Sequence, residues 1–174
     1  MYKKTLKKRA LELLSRRDYS RRELMEKLSH YEKDTYTLTQ LLDELASNGD
    51  QSDRRFAETY VRNQRRKYGH LRLKQVLRQK GVDNTTITKV LHDCDDEHNA
   101  YEIWQKKFGQ HATSPQEKAR QFRFLIARGF SQDIVQRIVP WAETEVTPLS
   151  LRQPIDTFSC DDVSPENDNG EPPQ

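Results

Sequence analysis

The sequence predicts an all-α protein, an elongated tandem array of three three-helix repeats followed by a disordered acidic C-terminal tail. Apolar residues recur at helical spacing along most of the chain and never alternate with period two for long enough to form a sheet. Five of the six glycines follow such stretches, where helices often end. A sequence pattern also recurs at a spacing of 48 residues, which indicates repeated structural units.

Polar residues and glycines set the expected helix limits. The predicted N-terminal signals are the capping-box pairs Ser20–Glu23 and Thr37–Gln40, Ser114 before a proline, and the N-caps Asp53, Asp83 and Ser131. The glycines expected to end helices in the left-handed conformation are Gly49, Gly69, Gly81, Gly109 and Gly129. The predicted helices span residues 3–17, 20–31, 37–48, 53–68, 70–80, 83–94, 96–108, 114–128 and 131–143.

The internal repeat is visible in two stretches of the sequence. "LRQKGVDNTTITKVL" aligns with "LIARGFSQDIVQRIV" at an offset of 48, which matches Gly81 with Gly129 and, upstream, Phe56 with Trp104. The first third of the chain fits at an offset of 49, with Glu32 in place of the glycine. We therefore expect repeats at 1–49, 50–95 and 96–145, with the tail at 146–174.

Composition restricts the class of protein. Hydrophobic residues make up 33% of the chain and the mean hydropathy is −1.03, which suits thin helical layers better than one deep core. Two cysteines give no disulfide framework, the N-terminal segment lacks the apolar stretch of a secretory signal, and no apolar run approaches about 20 residues. We expect a reduced, cytoplasmic protein that makes no contact with a membrane.

Charge is unevenly distributed along the chain. Residues 155–174 hold six acidic residues and no Lys or Arg, so the rest of the chain has 30 basic against 21 acidic residues, a net charge of +9. A basic body of this kind favours polyanionic or acidic partners. The acidic segment cannot bury enough apolar surface to offset the entropy of ordering, which predicts disorder.

The stretch "DRRFAETYVRNQRRKYG", residues 53–69, combines an apolar seam with a basic surface. A helical wheel puts Ala57 and Tyr60 on one side and several arginines on the opposite side. Residues 54–80 contain ten basic residues and a single acid, Glu58. Solvated helices usually mix signs, because like charges repel, so this crowding indicates a binding surface. The candidate residues are Arg55, Arg62, Arg65, Arg66, Lys67, Arg72, Lys74, Arg78 and Lys80.

A second basic patch surrounds Tyr19 at the turn between the first two predicted helices. Its members are Arg16, Arg17, Arg21 and Arg22. Arginines beside an aromatic ring can hold phosphates and stack on bases. Because Tyr19 aligns with Tyr68 in the repeat, we interpret it as a core aromatic, as we do Trp104 and Trp141.

Other chemistry has little support in the sequence. "HDCDDEH", residues 92–98, brings His92, Cys94, Asp95, Asp96 and His98 together, but a second ligand pair with zinc-site spacing is missing. An acidic junction between repeats is the simpler interpretation. No P-loop and no nucleophile motif occurs. We expect no enzymatic activity, no metal and no cofactor.

Three blocks of the sequence resemble the RecX family, regulators of the bacterial recombinase RecA. They are "SRRDYSRRELMEKL", "DRRFAETYVRNQRRKYGHLRLKQVLRQKGV" and "RQFRFLIARGFSQDIVQRIV", and the likeness runs over about residues 8–140. The D-x-R-F-A element at 53–57 and the L-x-x-K-G element at 77–81 are the most specific parts. The resemblance implies tandem three-helix repeats. It also implies a non-enzymatic protein that docks in the groove of the RecA–single-stranded-DNA filament and limits its extension and activity.

The sequence departs from the family pattern at two junctions. Gly49 is followed by Asp50, Gln51 and Ser52 instead of an aromatic residue and a leucine, which predicts a looser or different first junction. His70 stands where a proline is usual.

We expect a monomer whose partner is the RecA filament and whose basic residues also reach single-stranded DNA phosphates. A basic helical protein that binds nucleic acid without a filament partner is the alternative. A helix-turn-helix regulator is less favoured, because neither a base-reading helix nor a dimer interface is evident.

Overall fold

The computed structural model describes residues 2–92, 94–110 and 112–139. Within these ranges the chain forms nine α-helices and no strand, so the predicted fold class is confirmed. These residues belong to one compact unit. The predicted roles of Trp141 and of the acidic tail concern residues outside the described ranges.

Each set of three consecutive helices encloses its own apolar core. The first repeat contains α1 (Tyr2–Leu14), α2 (Arg21–Leu28) and α3 (Thr35–Ser47). The second contains α4 (Asp53–Gln64), α5 (His70–Gln79) and α6 (Asn84–His92). The third contains α7 (Asp96–Lys107), α8 (Pro115–Ala127) and α9 (Gln132–Ile138). In the second and third repeats the first helix packs on the third, α4 on α6 and α7 on α9.

The three cores are built from the residues that the apolar spacing selects. Leucines from α2 and α3 form most of the first core, which also buries Tyr19. Phe56, Leu77 and Ile87 lie in the second core, and Trp104 lies in the third. Tyr19 and Trp104 are therefore core aromatics, as the sequence predicts. Burying side chains of this size stabilises the fold by about 1.5–3 kcal/mol each.

Helix starts agree with the sequence at several caps and differ at two. The capping box of Ser20 and Glu23 forms, and Ser114 and Ser131 accept hydrogen bonds at the starts of α8 and α9. The predicted Thr37–Gln40 box is wrong, because the carboxylate of Asp34 accepts the N–H groups of Tyr36 and Thr37 and starts α3 two residues earlier. Ser52, rather than Asp53, caps α4.

Gly69 does not end a helix in the left-handed conformation. Gly49, Gly81, Gly109 and Gly129 have φ between 69° and 82°, whereas φ of Gly69 is −82° and this residue is the N-cap of α5. A Cβ atom at Gly69 would lie 2.4 Å from the carbonyl oxygen of Gly129. The glycine is required here because the third repeat approaches the backbone closely.

The predicted match of Phe56 with Trp104 is out of register. Asp53 and Asp96 are the first residues of α4 and α7, which are both 12 residues long, so these helices correspond at a spacing of 43. The spacing rises to 48 at Gly81 and Gly129 because α8 has 13 residues where α5 has ten, and the loop before α8 is two residues longer than the loop before α5. The insertion lies upstream of the aligned motif, which is why the motif alone did not show it.

Candidate functional site

The junction between the first and second repeats is held by Asp53. Its Oδ1 accepts the backbone N–H of Arg21 at 2.7 Å and the side-chain amide of Gln51 at 2.8 Å. Asp53 thus satisfies an N–H group at the start of α2, where helical N–H groups lack intrahelical partners. The turn that carries the Arg16–Arg22 patch is thereby fixed on the second repeat.

The residues that replace the apolar pair of the family pattern make this junction polar rather than loose. Gln51 is only 5% exposed, and its amide donates to the carbonyl oxygen of Tyr19 at 3.3 Å as well as to Asp53. A buried amide is tolerated when its hydrogen bonds are made. The first repeat is therefore attached to the second through hydrogen bonds, at the place where the family pattern has apolar residues.

The junction between the second and third repeats uses the same arrangement. The backbone N–H of His70 donates to the carboxylate of Asp96 at 3.1 Å. The N–H groups of Gly69 and Leu71 donate to the carbonyl oxygens of Arg128 and Gly129 at 2.8 and 3.0 Å. Asp96 lies at the start of α7, as Asp53 lies at the start of α4. The second and third repeats therefore each accept a hydrogen bond from the start of the second helix of the preceding repeat.

Burial changes the ionisation of Asp96. Burial raises its pKa, whereas the nearby His70 imidazole and the His70 N–H favour the charged form and oppose that rise. The imidazole Nε2 of His70 lies 3.9 Å from Oδ1, beyond hydrogen-bond distance. Of the two groups of His70, the backbone N–H is therefore the one that forms a hydrogen bond to the buried Asp96 carboxylate and stabilises its charge.

Arg55 is part of the first junction rather than of an unoccupied basic surface. Its Nε donates to Oδ1 of Asp18 at 2.8 Å, and its two terminal nitrogens donate to the carbonyl oxygens of Gly49 at 3.1 Å and Asp50 at 2.7 Å. The guanidinium is directed back at the protein although α4 presents its Cβ to solvent. These bonds use much of its hydrogen-bonding capacity between the first two repeats, and its role in binding a partner stays a prediction.

Glu23 neutralises two further candidates. Its carboxylate lies 2.9 Å from Nζ of Lys80 and 3.4 Å from a guanidinium nitrogen of Arg17. Burial acts to raise the pKa of Glu23, but the Lys80 hydrogen bond, the charges of Arg17 and Lys80 and the Ser20 N–H outweigh it, so the pKa is lowered. Arg17 also lies over the Tyr19 ring, 3.7 Å from its centroid. This cluster joins the second helices of the first two repeats.

The remaining members of the Arg16–Arg22 patch divide between paired and unpaired residues. Arg21 pairs with Asp43 at 2.7 Å, and Arg22 pairs with Glu26 at 3.0 Å one turn away on α2. Arg16 is exposed, with no carboxylate within 4.0 Å among the described residues. The patch is therefore mostly neutralised, and Arg16 is its member available to an outside anion.

Eight predicted candidates have no carboxylate within 4.0 Å in the part of the chain that the structure describes. We call these the open cations: Arg16, Arg62, Arg65, Arg66, Lys67, Arg72, Lys74 and Arg78. Three of them contact uncharged groups: Arg72 lies over the Tyr68 ring at 4.3 Å, Arg78 donates to Asn84 at 2.8 Å, and Arg62 donates to the Thr59 hydroxyl at 3.4 Å. Most basic side chains between residues 54 and 80 are therefore not paired with a carboxylate in the described part of the chain.

The two predicted basic patches adjoin at Asp18. This residue lies in the α1–α2 turn beside Arg17, and its second oxygen accepts the Thr59 hydroxyl at 3.1 Å. Arg62 in turn contacts that hydroxyl at 3.4 Å, one helical turn along α4. Arg16 in the turn and Arg62 on α4 are consequently parts of neighbouring surfaces, which the helical wheel of α4 alone did not reveal.

Two further basic residues, which were not among the predicted candidates, lie beside the open cations in the folded protein. Lys89 of α6 lines a groove together with Arg62 of α4 and Arg65, the C-cap of α4. Arg128 donates to the carbonyl oxygen of Lys67 at 3.0 Å and lies 4.4 Å from the Phe124 ring centroid. Both additions depend on which helices pack together. The repeat alignment gave a partial signal for Arg128, since it pairs this residue with Lys80.

The acidic stretch at 92–98 serves the repeat junction in the described residues. Asp95 is the N-cap of α7 and accepts the His98 N–H, and Asp96 accepts the N–H of His70. No group of three or more potential metal ligands comes together within the described ranges. None of the described helices has the length and apolar character needed to cross a bilayer.

The fold and this surface define a class of protein, a tandem array of three-helix repeats with hydrogen-bonded junctions and a basic surface on the second repeat. Residues 52–91 match the family model for the second three-helix domain of RecX, and residues 95–139 match that for the third. The chain is 46% identical over 136 residues to the regulatory protein RecX of Chromobacterium violaceum, covering 78% of this chain and 90% of that protein. This chain belongs to the RecX family.

A further relative agrees with this assignment, and a solved structure agrees with the fold. The regulatory protein RecX of Neisseria meningitidis serogroup C is 41% identical over 143 residues, which cover 82% of this chain and 94% of the relative. A crystal structure of RecX from Lactobacillus salivarius superposes with a TM-score of 0.70 at 22% identity, covering 79% of this chain and 94% of that one. The structural likeness supports the fold.

Proposed function

We propose that this protein binds the RecA–single-stranded-DNA filament through the open cations of its second repeat and limits filament extension, ATP hydrolysis and strand exchange. The observation that carries the proposal is the set of open cations on and after α4, which have no carboxylate within 4.0 Å in the described residues. Both the DNA phosphates and acidic surfaces of a filament would complement it. The relatives are named regulatory proteins, which agrees with control of another protein rather than catalysis.

The hydrogen-bonded junctions suit such a role. Asp53 and Asp96 fix successive repeats to each other, so cations on one repeat keep their position relative to the next. A pre-organised surface loses little entropy on binding. A molecule that contacts neighbouring filament subunits would oppose both the addition of subunits and the movements that accompany ATP turnover. We propose that it acts as a monomer in the cytoplasm, where RecA acts on DNA, without a cofactor.

The test compares two double variants that remove the same charge from different helices. Arg65→Gln with Arg66→Gln alters the open cations after α4, and Arg120→Gln with Arg123→Gln removes two exposed arginines from α8. Losing two charge contacts of about 0.7 kcal/mol each should raise the concentration for half-inhibition of RecA ATP hydrolysis roughly tenfold. The α8 variant should inhibit like the unaltered protein.

Two outcomes would contradict the proposal. Full RecA ATP hydrolysis and strand exchange with the unaltered protein in excess would remove the filament as the partner. Equal effects of the two double variants would show that net charge, rather than the second repeat, determines binding. Binding to bare single strands is measured alongside, because a log–log salt slope of about −0.7 per phosphate contact with no dependence on RecA would favour the generic nucleic-acid-binding alternative.

A further inference from the structure

A groove between α4 and α6 combines a basic rim with an aliphatic floor. We propose that this groove binds an acidic segment of a partner protein, in which carboxylates flank an aliphatic side chain. The inference deepens the proposed function and rests on it in part, since Arg62 and Arg65 belong to both surfaces. The groove has a volume of about 390 Å³, within the range of roughly 300–1,000 Å³ that binds compact ligands.

The rim of the groove carries positive charge from both helices. Arg62 and Arg65 come from the C-terminal end of α4, and Lys89 faces them from α6. No carboxylate lies within 4.0 Å of these three cations in the described residues. Glu58 is the acid among the lining residues, and its carboxylate is engaged by Arg54 at 2.8 Å. The rim therefore presents three cations to an incoming anion.

The floor determines which anion fits. Val61, Val90 and the half-buried side chain of Cys94 form it, and none of the lining residues in the described part of the chain is aromatic. Single-stranded nucleic acid gains much of its affinity from bases stacked on aromatic rings, which this groove does not offer. An aliphatic side chain on the floor, with carboxylates reaching the rim, uses both features. The chemistry thus favours an acidic protein segment over DNA.

The groove is also formed before anything binds. The core of the second repeat lies beneath it, where Phe56 and Ile87 pack between α4 and α6, so the spacing of the two helices is fixed. Rim side chains still have to be ordered, at a cost of about 0.5–1.5 kcal/mol each. Helices held in place by a packed core keep the remaining cost of binding low.

The thiol of Cys94 gives a local probe of occupancy. The test uses the full chain with Cys160→Ser, so that Cys94 is the cysteine that reacts, and follows its alkylation by iodoacetamide. Three additions are compared: a short synthetic peptide of glutamate and leucine, the same peptide with glutamine in place of glutamate, and oligothymidylate. At ten times its dissociation constant the acidic peptide should slow alkylation about tenfold, because only the unoccupied fraction reacts. The other two should leave the rate unchanged.

Rim variants establish where the peptide binds. Lys89→Gln should weaken binding of the acidic peptide about threefold or more, measured by fluorescence anisotropy, whereas Arg120→Gln on α8 should not change it. Protection by oligothymidylate but not by the peptide would assign the groove to nucleic acid and overturn the inference. Lack of protection by either would overturn it as well, as would equal effects of the two variants.

The outcomes also separate this inference from the proposed function. If the unaltered protein inhibits RecA but the peptide never protects Cys94, the groove inference fails and the filament proposal stands. If the peptide protects Cys94 but RecA keeps full activity in excess protein, the groove binds an acidic segment of another partner and the filament proposal fails.

Discussion

The backbone N–H of His70 donates to the buried carboxylate of Asp96 across the junction of the second and third repeats, 3.1 Å from Oδ1. The N–H of Arg21 makes the same bond to Asp53 across the first junction, at 2.7 Å. In both cases a carboxylate at the start of one repeat accepts a hydrogen bond from a backbone N–H at the start of the second helix of the previous repeat. Each junction is therefore held by a defined hydrogen bond from the backbone of one repeat to a carboxylate of the next.

The first prediction concerns the proline that the family pattern usually has at position 70. Gly69 has φ −82° and ψ 170°, which a following proline accepts, and His70 is the first residue of α5, where proline fits sterically. His70→Pro therefore removes the N–H with little change in backbone geometry. Leaving Asp96 without that donor should lower the free energy of unfolding by about 1–3 kcal/mol at neutral pH, measured by urea denaturation.

The matched control is His70→Ala, which removes the imidazole but keeps the N–H. It should be more stable than His70→Pro. Burial raises the folded-state pKa of Asp96. The difference in the free energy of unfolding between the two variants should decrease as the pH falls through that pKa, because a neutral carboxyl group needs the N–H donor less. Equal stability of the two variants at neutral pH would show that the N–H bond contributes nothing to the junction.

The second prediction separates backbone strain from lack of space at three glycines. Gly49 has φ 75° and open space where a Cβ would lie, whereas Gly69 has an ordinary φ but no space. Gly129 has both restrictions, with φ 82° and a Cβ position 2.6 Å from the backbone nitrogen of Arg72. Gly49→Ala should cost about 1–2 kcal/mol from strain, and Gly69→Ala about 1–3 kcal/mol from overpacking.

Gly129→Ala combines the two penalties and should be the most destabilising of the series. Thermal unfolding of the three variants under one set of conditions provides the comparison. If the Gly129→Ala protein were as stable as the Gly49→Ala protein, the second junction would accommodate the added Cβ without loss of stability. The close approach of Gly129 to Arg72 would then not restrict this position.

The third prediction is a pH dependence that arises from Glu23. Burial opposes its ionisation, but Lys80, Arg17 and the Ser20 N–H lower its pKa below the ordinary value of 4.5. A lowered folded pKa contributes stability that is complete above the unfolded pKa and is lost as the pH falls through the folded pKa. Glu23→Gln should therefore destabilise the protein by roughly 1–2 kcal/mol at neutral pH and by progressively less below about pH 4.5.

Glu26→Gln, on the same helix, is the control for that change. Glu26 is exposed and pairs with Arg22 one turn away, a type of pair worth only a few tenths of a kcal/mol. Its substitution should shift the urea midpoint little at any pH. A Glu23→Gln effect that persists undiminished at pH 3 would point to lost packing rather than lost charge.

How far the sequence predicts this molecule depends on whether a feature is local. Helix identity and the capping box of Ser20 follow from neighbouring residues, and both were predicted. The role of Gly69 was not, because a glycine after a helix suggests a C-terminal cap, whereas its partner is Gly129 in the next repeat. The start of α3 was misplaced because Asp34 competes with Thr37 for the cap, and the spacing pattern does not rank the two.

The candidate site shows the same limit. The crowding of positive charge after Asp53 could be read from the sequence, and most of those cations have no carboxylate neighbour in the described residues. A helical wheel gives the direction of the Cβ atom only, so it could not show that Arg55 turns back toward Asp18. Lys89 was missed because it faces α4 only once α6 is packed against it.

The last prediction separates the structural arginine of α4 from its open cations. Arg55 donates to Asp18 and to the carbonyl oxygens of Gly49 and Asp50, so Arg55→Gln should lower the free energy of unfolding by about 1 kcal/mol, a value discounted for its exposure. Arg66→Gln removes the same charge from a position with no carboxylate within 4.0 Å in the described residues, and should leave stability within about 0.5 kcal/mol.

Inhibition of RecA ATP hydrolysis should respond in the opposite order. Under conditions where both variants are fully folded, Arg66→Gln should raise the concentration for half-inhibition by about threefold, the equivalent of 0.7 kcal/mol, and Arg55→Gln should raise it less. The two measurements are made on the same preparations, so a loss of inhibition that follows loss of stability would be recognised. If Arg55→Gln weakened inhibition more than Arg66→Gln while remaining folded, the bonds that Arg55 makes within the protein would have to be exchanged for bonds to the filament, and its reassignment to the junction would be wrong.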